Sequence, residues 1–297
     1  MKDASISEKR LWKVWPGKNR FCCNGKYMAG PKSDFLYYIP SFVSLILIPN
    51  TFFIFVAPYI WDKVSICLPI LSGIIYFITL STYLLSTYTD PGILPRKNII
   101  EILDQDSSSL DTINTDMSKY CNTCQIFKPR RSHHCKNCDN CVEIFDHHCS
   151  YINNCIGGRN YLYFFLFILS LTLLCLIDIS GCLVFIFHDY SVLGPAKETF
   201  IKPGTVSLVV IVIMLAFITL IGVGALLLCL HHLSLCFTGK TTKEMIKGNE
   251  IGSLCYFWKK KPQRFDSRLI LTEEQAKKIT QGPFVVEISE NYYSESN

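Results

Sequence analysis

Polarity along the chain divides it into four long apolar runs, at residues 35–57, 64–88, 161–187 and 205–230, separated by polar segments of unequal length. Each run approaches or exceeds the roughly 20 residues that a helix needs to cross a bilayer. The pattern therefore predicts four transmembrane helices. Pro40 and Pro49 fall in the first run and Pro69 in the second, so kinks are expected there. Membrane helices tolerate proline when neighbouring groups satisfy the freed carbonyls. No internal repeat interrupts this plan.

The charges that flank the runs orient them. Lys26, Lys32, Arg96, Lys97, Arg159, Lys240, Lys243 and Lys247 lie on one side, against Lys63, Lys197 and Lys202 on the other. Lys and Arg collect on the cytoplasmic side of a membrane protein, which places both termini and the segment 90–160 in the cytosol. Residues 58–63 and 188–204 become short loops on the opposite face, too small for chemistry of their own. Residues 101–118 are polar, acidic and serine-containing and read as a flexible linker. Beyond Thr241 the tail is basic at Lys259, Lys260, Lys261 and Arg264, then acidic. The run Thr272-Glu273-Glu274-Gln275 has the pattern of a capping box and predicts a short helix.

Composition supports the membrane assignment: 49% of residues are hydrophobic and only 18% charged, too apolar for an ordinary soluble domain. The net charge of +5 is mild and adds little. The 15 cysteines change the picture more. The N-terminus has no apolar core of a cleavable signal, so the thiols are expected to be reduced and cytosolic, not a disulfide framework.

Seven cysteines and four histidines fall between Cys121 and Cys155: Cys121-x2-Cys124, then His133, His134, Cys135-x2-Cys138-x2-Cys141, then His147, His148, Cys149, and Cys155. A two-residue gap lets both thiolates of a pair reach one tetrahedral ion, so this spacing is a strong zinc signal. Two closed four-ligand sites consume eight of the eleven candidates. If each takes three cysteines and one histidine, one thiol is spare. Counting alone does not say which, but Cys149 follows Asp146 and His147, and an adjacent histidine favours the reactive thiolate.

The stretch 120–165, with its Asp146-His147-His148-Cys149 run, Cys155, Asn160 and Phe164, resembles the cysteine-rich domain of the DHHC protein acyltransferases. Asp90-Pro91-Gly92 after the second helix, Thr241-Thr242-Lys243-Glu244 after the fourth and the helix arrangement extend the likeness to roughly residues 20–250. The runs Pro16-Gly17-Lys18-Asn19-Arg20-Phe21-Cys22 and Cys138-Asp139-Asn140-Cys141-Val142-Glu143 look closest to the Ras-type subfamily, whose members often work with a small accessory subunit.

The resemblance implies an all-α membrane fold in which a cytosolic zinc-binding domain separates helices 2 and 3. Its parts would be a cytosolic N-terminal segment (1–34), helices 1 and 2 (35–88) and a linker with the Asp-Pro-Gly motif (89–118). The cysteine-rich domain (119–165), helices 3 and 4 (161–230) and a cytosolic tail with the Thr-Thr-x-Glu motif (231–297) would follow. It implies one zinc on Cys121, Cys124, His134 and Cys141, and a second on Cys135, Cys138, His148 and Cys155. Cys149 would be the nucleophile, His147 its base, Asp146 the group orienting His147, and Thr242 a support for Asp146.

Lys128, Arg131 and His133 match positions that meet the phosphates of CoA. The implied reaction moves a fatty acyl group, typically palmitoyl, from acyl-CoA to Cys149 and then to a cysteine of a cytosolic or membrane-associated protein, Ras-like proteins included. The implied compartment is the endoplasmic reticulum or Golgi. Cys149 lies only twelve residues before the third apolar run, near the bilayer surface where an acyl tail partitions.

Plainer readings stand beside these. Lys128, Arg130 and Arg131 also suit a solvated face or contact with anionic lipid. Asp178, inside the third helix, suits a hydrogen bond to a neighbouring helix, and His231 and His232 suit an interfacial position. Cys22 and Cys23 suit either acylation or packing. The chain departs from the family in having Ser150-Tyr151 where Pro-Trp is usual, and in lacking an Asn-Pro aromatic segment after the fourth helix. The rival functions are a zinc-stabilised membrane scaffold and a zinc transporter. The transporter is disfavoured because the ligands lie in a polar loop.

Overall fold

The computed structural model describes residues 9–104, 119–193, 203–248 and 266–280 of the 297. A short strand β1 (Lys9–Arg10) and a hairpin, β2 (Arg20–Cys22) with β3 (Tyr27–Ala29), precede helix α1 (Phe35–Phe55). Cys22 and Cys23 are exposed at the turn of that hairpin. Helices α2 (Ala57–Lys63) and α3 (Cys67–Tyr88) lead to strand β4 (Ile93–Leu94) and helix α4 (Lys97–Asp104).

The cysteine-rich segment is six short strands: β5 (Lys119–Cys121), β6 (Ile126–Lys128), β7 (His133–Cys135), β8 (Asn140–Val142), β9 (His147–Cys149) and β10 (Asn154–Ile156). The long helices α5 (Tyr161–Leu193) and α6 (Pro203–Thr238) follow, then α7 (Thr242–Ile246), β11 (Ile270–Leu271) and α8 (Glu273–Thr280).

Four spans are long and apolar enough to cross a membrane: Lys32–Lys63, Cys67–Tyr88, Tyr161–His188 and Leu208–Thr238. The protein is a multi-pass membrane protein. Large apolar side chains such as Leu36, Phe77 and Leu220 are left exposed on the outer faces, where lipid would meet them. The inner face of α3 is the reverse: Ser72, Thr79, Thr82, Ser86 and Thr87 are all buried. Four of these hydroxyls donate to the carbonyl four residues back, as Thr79 Oγ1 does to Ile75 O at 2.8 Å. Small side chains that satisfy themselves on their own helix let neighbouring helices approach closely. Gly181 of α5 serves the same end, since a Cβ there would lie 2.7 Å from the ring of Phe52.

Two expectations change in detail. Residues 58–63 are not a loop but lie in α2, with Pro58 in its first turn, where no amide donor is needed. Val56 and Ile60 bury against the bundle and hold that turn in place. The segment 101–118 begins as the last residues of α4, and its remainder lies outside the described residues. So do Lys197, Lys202, Lys259, Lys260, Lys261 and Arg264. Helix α1 includes both Pro40 and Pro49. Helix α8 starts with the expected box: Thr272 Oγ1 accepts from Gln275 N at 3.2 Å, and Gln275 Oε1 from Thr272 N at 2.9 Å.

The polar domain is joined to the bundle at the end of α3. Asp90 Oδ1 accepts the amides of Gly92 and Ile93 at 2.9 and 3.0 Å, a turn that directs β4 into a sheet with β8 and β7. Asn154, fully buried, donates from Nδ2 to the carbonyls of Thr87 and Thr89 at 2.9 Å each, capping helix groups that have no partner of their own. Asn160 Nδ2 donates to Ser86 O at 3.2 Å and Cys155 O at 2.9 Å. Replacing Asn154 by Ala strands buried carbonyls and should cost about 1–3 kcal/mol. The expected outcome is a lower Tm for Asn154→Ala in detergent, measured against wild type.

Candidate functional site

Strand register sets out the metal-ligating groups. In the β7–β8 pair His134 stands opposite Cys141, and in β9–β10 His148 stands opposite Cys155. Cross-strand neighbours have their Cβ atoms about 5 Å apart, close enough to share one ion. Each Cys-x2-Cys pair at a hairpin turn is followed by a residue with positive φ, Gln125 at 54° and Asp139 at 55°, which turns the chain back under the two sulfurs.

The result is two clusters, Cys121, Cys124, His134 with Cys141, and Cys135, Cys138, His148 with Cys155, each with its ligand atoms within 4.8 Å of one another. The donor chemistry of three thiols and one imidazole is that of a closed structural zinc site. Both histidines carry an outer carboxylate on their far nitrogen: Asp34 Oδ2 lies 2.8 Å from His148 Nε2, and Asp139 Oδ1 lies 3.5 Å from His134 Nε2. Carboxylates in that position orient metal-binding imidazoles. The residues fit two zinc ions.

Strand alternation then separates two tasks. Side chains along β9 point to opposite faces in turn, so His148 faces its cluster while His147 and Cys149 share the other side. His147 Nδ1 is 2.7 Å from Asp146 Oδ2, and the Cys149 thiol lies beside its ring, near enough to raise its basicity. Asp146, 1% exposed, also accepts from Thr242 N and Thr242 Oγ1, both at 2.8 Å. Burial opposes charge on both groups, yet their mutual attraction wins. His147 is raised to about 9, and Asp146 is held below the usual carboxylate range with help from the Thr242 amide.

Thr242 arrives by way of α7. Thr241 caps that helix, and Glu244 closes the box by accepting from Thr241 N at 2.8 Å. Glu244 also receives Arg131 through two bonds of 2.6 Å, and Arg131 Nη2 donates to Gly239 O at 2.9 Å. Of the three residues expected at the CoA phosphates, Arg131 is the one already paired with a carboxylate. Its guanidinium is only 6% exposed and is neutralised by a bidentate carboxylate, so it ties the tail motif to the cysteine-rich domain. Lys128 ends β6, partly buried. His133, part-buried with its ring 5.3 Å from Phe145, is pushed down to about 4 by burial and by Lys243, Lys247 and Lys128. Those three lysines mark the basic face; Lys243 lies in α7 and Lys247 directly follows it.

His232 is the residue that an interfacial reading misses. It is 1% exposed, its Nδ1 pairs with Tyr161 OH at 3.0 Å, and its ring meets Phe164 edge-on and His147 at a tilt, at centroid distances of 5.1 and 6.0 Å. His231 Nε2 stands 3.5 Å from Thr242 Oγ1. Adjacent histidines at a helix end carry no sequence signal for this, because only the packing of α6 against α5 turns one inward.

Cys149 is partly exposed and opens onto an apolar cavity of about 660 Å³ between α1, α5 and α6. Phe164, Ile168 and Leu171 form part of one wall. The segment after Cys149 is held without proline: the Tyr151 carbonyl accepts from Ser41 Oγ at 2.8 Å and Tyr83 OH at 3.0 Å, and the Tyr151 ring packs on Tyr37.

Comparison with known proteins agrees with this geometry. Residues 114–249 match the family model described as DHHC palmitoyltransferase. The chain is 32% identical over 269 residues to Palmitoyltransferase ZDHHC14 of Mus musculus, covering 84% of this chain and 53% of that protein. It is 37% identical over 266 residues to Palmitoyltransferase ZDHHC18 of Homo sapiens (81% and 64%). It is 34% identical over 266 residues to Palmitoyltransferase ZDHHC9 of Bos taurus (82% and 70%). The chain thus spans between 53% and 70% of the length of these relatives. With 34% identity across 70% of one relative, the chain belongs to the DHHC palmitoyltransferase family.

Proposed function

We propose that the protein is a protein S-acyltransferase that works through an acyl-enzyme on Cys149. The observation that carries the reading is the line Thr242, Asp146, His147, Cys149, which ends at the mouth of an apolar cavity. Asp146 holds His147 by Nδ1, leaving the other nitrogen for the thiol. His147 takes the thiol proton, and the Cys149 sulfur attacks the thioester carbonyl of acyl-CoA. The new carbon–sulfur bond forms as the bond to CoA breaks, and the CoA sulfur leaves with a proton from His147. A cysteine of a protein substrate then attacks the Cys149 thioester in the same way and regenerates the free thiol. Thioester is exchanged for thioester in both steps, so positioning and thiol activation set the rate.

The acyl tail occupies the cavity, and Lys128 and His133, together with Lys243 and Lys247, face the CoA phosphates. Zinc, when bound, supplies a cross-link that fixes loop shape. The two ligand sets would hold β5–β6, β7–β8 and β9–β10 in register and so keep Cys149 beside His147.

The proposal extends to an endoplasmic reticulum or Golgi location with both termini and the cysteine-rich domain cytosolic, as the flanking lysines and arginines favour. It also includes acyl acceptors that are membrane-associated proteins, Ras-like proteins among them, and a small accessory subunit like that of the Ras-type subfamily. The divisions stated above, from the N-terminal segment at 1–34 to the tail at 231–297, are part of the same reading.

Incubation of the purified protein with labelled hexadecanoyl-CoA should leave a hydroxylamine-labile label on the wild type and none on Cys149→Ala. Equal labelling of both would leave a binding scaffold as the better reading. Asp146→Asn should slow label formation by about 10²-fold or more, the scale of general acid–base catalysis. His147, raised to about 9, keeps the proton it takes from Cys149 up to that pH and so has one to give the CoA sulfur; wild-type labelling should persist to about pH 9 and decline beyond it. In Asp146→Asn, without the anion, the decline should begin at lower pH. Elemental analysis should find two zinc ions per chain and one fewer in Cys138→Ser. Chelation should lower both Tm and labelling.

A further inference from the structure

The line from Thr242 to Cys149 accounts for one nitrogen of the His147 ring but not for how the rest of that ring is held. Asp146 Oδ2 lies 2.7 Å from Nδ1, which leaves the other nitrogen for the thiol. A single hydrogen bond fixes one point of a planar ring, and the ring can still rock about it. Such a motion swings the free nitrogen away from Cys149.

Two other rings restrain it. Phe164 of α5 meets His147 edge-on, with 5.1 Å between centroids and 65° between planes, and His232 of α6 lies 6.0 Å away at 43°. Phe164 and His232 meet each other at 5.1 Å and 81°. The three rings close a triangle, so none turns without displacing another. Aromatic rings prefer edge-on to face-to-face contact, so this packing selects an orientation as well as filling space.

His232 is itself fixed. It is 1% exposed, and its Nδ1 lies 3.0 Å from the hydroxyl of Tyr161, the first residue of α5. Tyr161, 3% exposed, stands three residues before Phe164 and so on the same face of that helix. Both residues that locate His232 on α5 therefore move together. A nitrogen of His232 also lies within 4.8 Å of an Asp146 oxygen and of a His147 nitrogen, which brings α6 against the acid and the base at once. Packing alone would be met by phenylalanine, which has a ring and no polar atom to bury. A histidine in such a place carries the cost of its nitrogens, and its bond to Tyr161 sets the tilt on which the His147 ring rests.

We infer that His232, held by Tyr161, is a positioning residue that braces the His147 ring, so that the nitrogen not bound to Asp146 stays aimed at the Cys149 thiol. It does not line the acyl cavity and acts through His147. The inference rests on the transferase reading above and extends it to α6, which otherwise serves as a cavity wall.

The test reads Cys149 directly. The zinc-loaded full-length protein is treated with iodoacetamide at one fixed pH, and mass spectrometry follows the alkylation of each cysteine, with exposed Cys22 as the internal reference. A neighbouring histidine raises thiol reactivity, so loss of the brace should show at Cys149 alone. His232→Phe should slow Cys149 about tenfold or more, the scale of a misplaced reacting group, and leave Cys22 unchanged. Tyr161→Phe should slow Cys149 in the same way. The two changes together should slow it no more than either alone, as for residues acting as one unit. In His147→Ala, which is slow already, adding His232→Phe should change nothing further. With labelled hexadecanoyl-CoA, His232→Phe should lower the rate of acyl-enzyme formation at saturating donor and leave the half-saturating concentration as in wild type.

A wild-type rate at Cys149 in His232→Phe would overturn the inference. So would a further slowing by His232→Phe in the His147→Ala background, because the residue would then support the fold and not the base. Two zinc ions per chain and a wild-type Cys22 rate show that a variant has folded. If His232→Phe fails that check, Tyr161→Phe, which loses a single oxygen, decides the matter by the same two outcomes. A wild type that no acyl-CoA labels at Cys149 would overturn the transferase reading, while the alkylation rates still decide whether His232 braces His147.

Discussion

The alternation of side chains along the three residues of β9 is the constraint on which the site depends. Because neighbours on a strand face opposite ways, His148 turns to Cys135, Cys138 and Cys155 while His147 and Cys149 turn the other way, Cys149 onto the membrane cavity. One short strand is thereby both an anchor and a working edge. It could not hold this conformation alone, since three residues bury too little surface. The ligand cluster on one side and Asp146, fixed by Thr242, on the other keep it in place.

Around that strand the structure is organised by buried polar groups that find partners on another element. Asn154 and Asn160 take up carbonyls at the end of α3, Asp90 folds the turn that follows, and Glu244 joins Arg131 across the domain. Each group would be costly if left alone and is inexpensive when paired. This explains why the cysteine-rich domain sits in one place on the helices and why the Thr-Thr-x-Glu segment, almost a hundred residues from Asp146 in sequence, reaches it. The same economy operates within the bilayer, where the small hydroxyl face of α3 lets α5 approach.

The four spans were legible in the sequence because the bilayer sets a length and a polarity that no other environment demands. That the segment holds zinc was legible because two-residue gaps between thiols are a local property of one turn; the division into two ligand sets came only through the family resemblance. The residues after Cys149 are instructive in the other direction. Ser150-Tyr151 looks like a loss of rigidity beside the thiol, yet Ser41 and Tyr83, from two different helices, bind the Tyr151 carbonyl and restrain it. Local pattern carries no information about such partners, because they come from far along the chain.

What the sequence determined by itself is therefore whatever depends on neighbours within about ten residues: the apolar spans, the paired thiols, the Asp146-His147-His148-Cys149 run and the cap of α8. Tertiary structure alone decided that Arg131 pairs with Glu244, that His232 lies against His147, that residues 58–63 coil into a helix, and that Asp178 and Ser72 meet between α3 and α5. The physical reason is common to all four. Each outcome balances the cost of burying a group against the supply of partners, and that supply exists only once distant helices have packed.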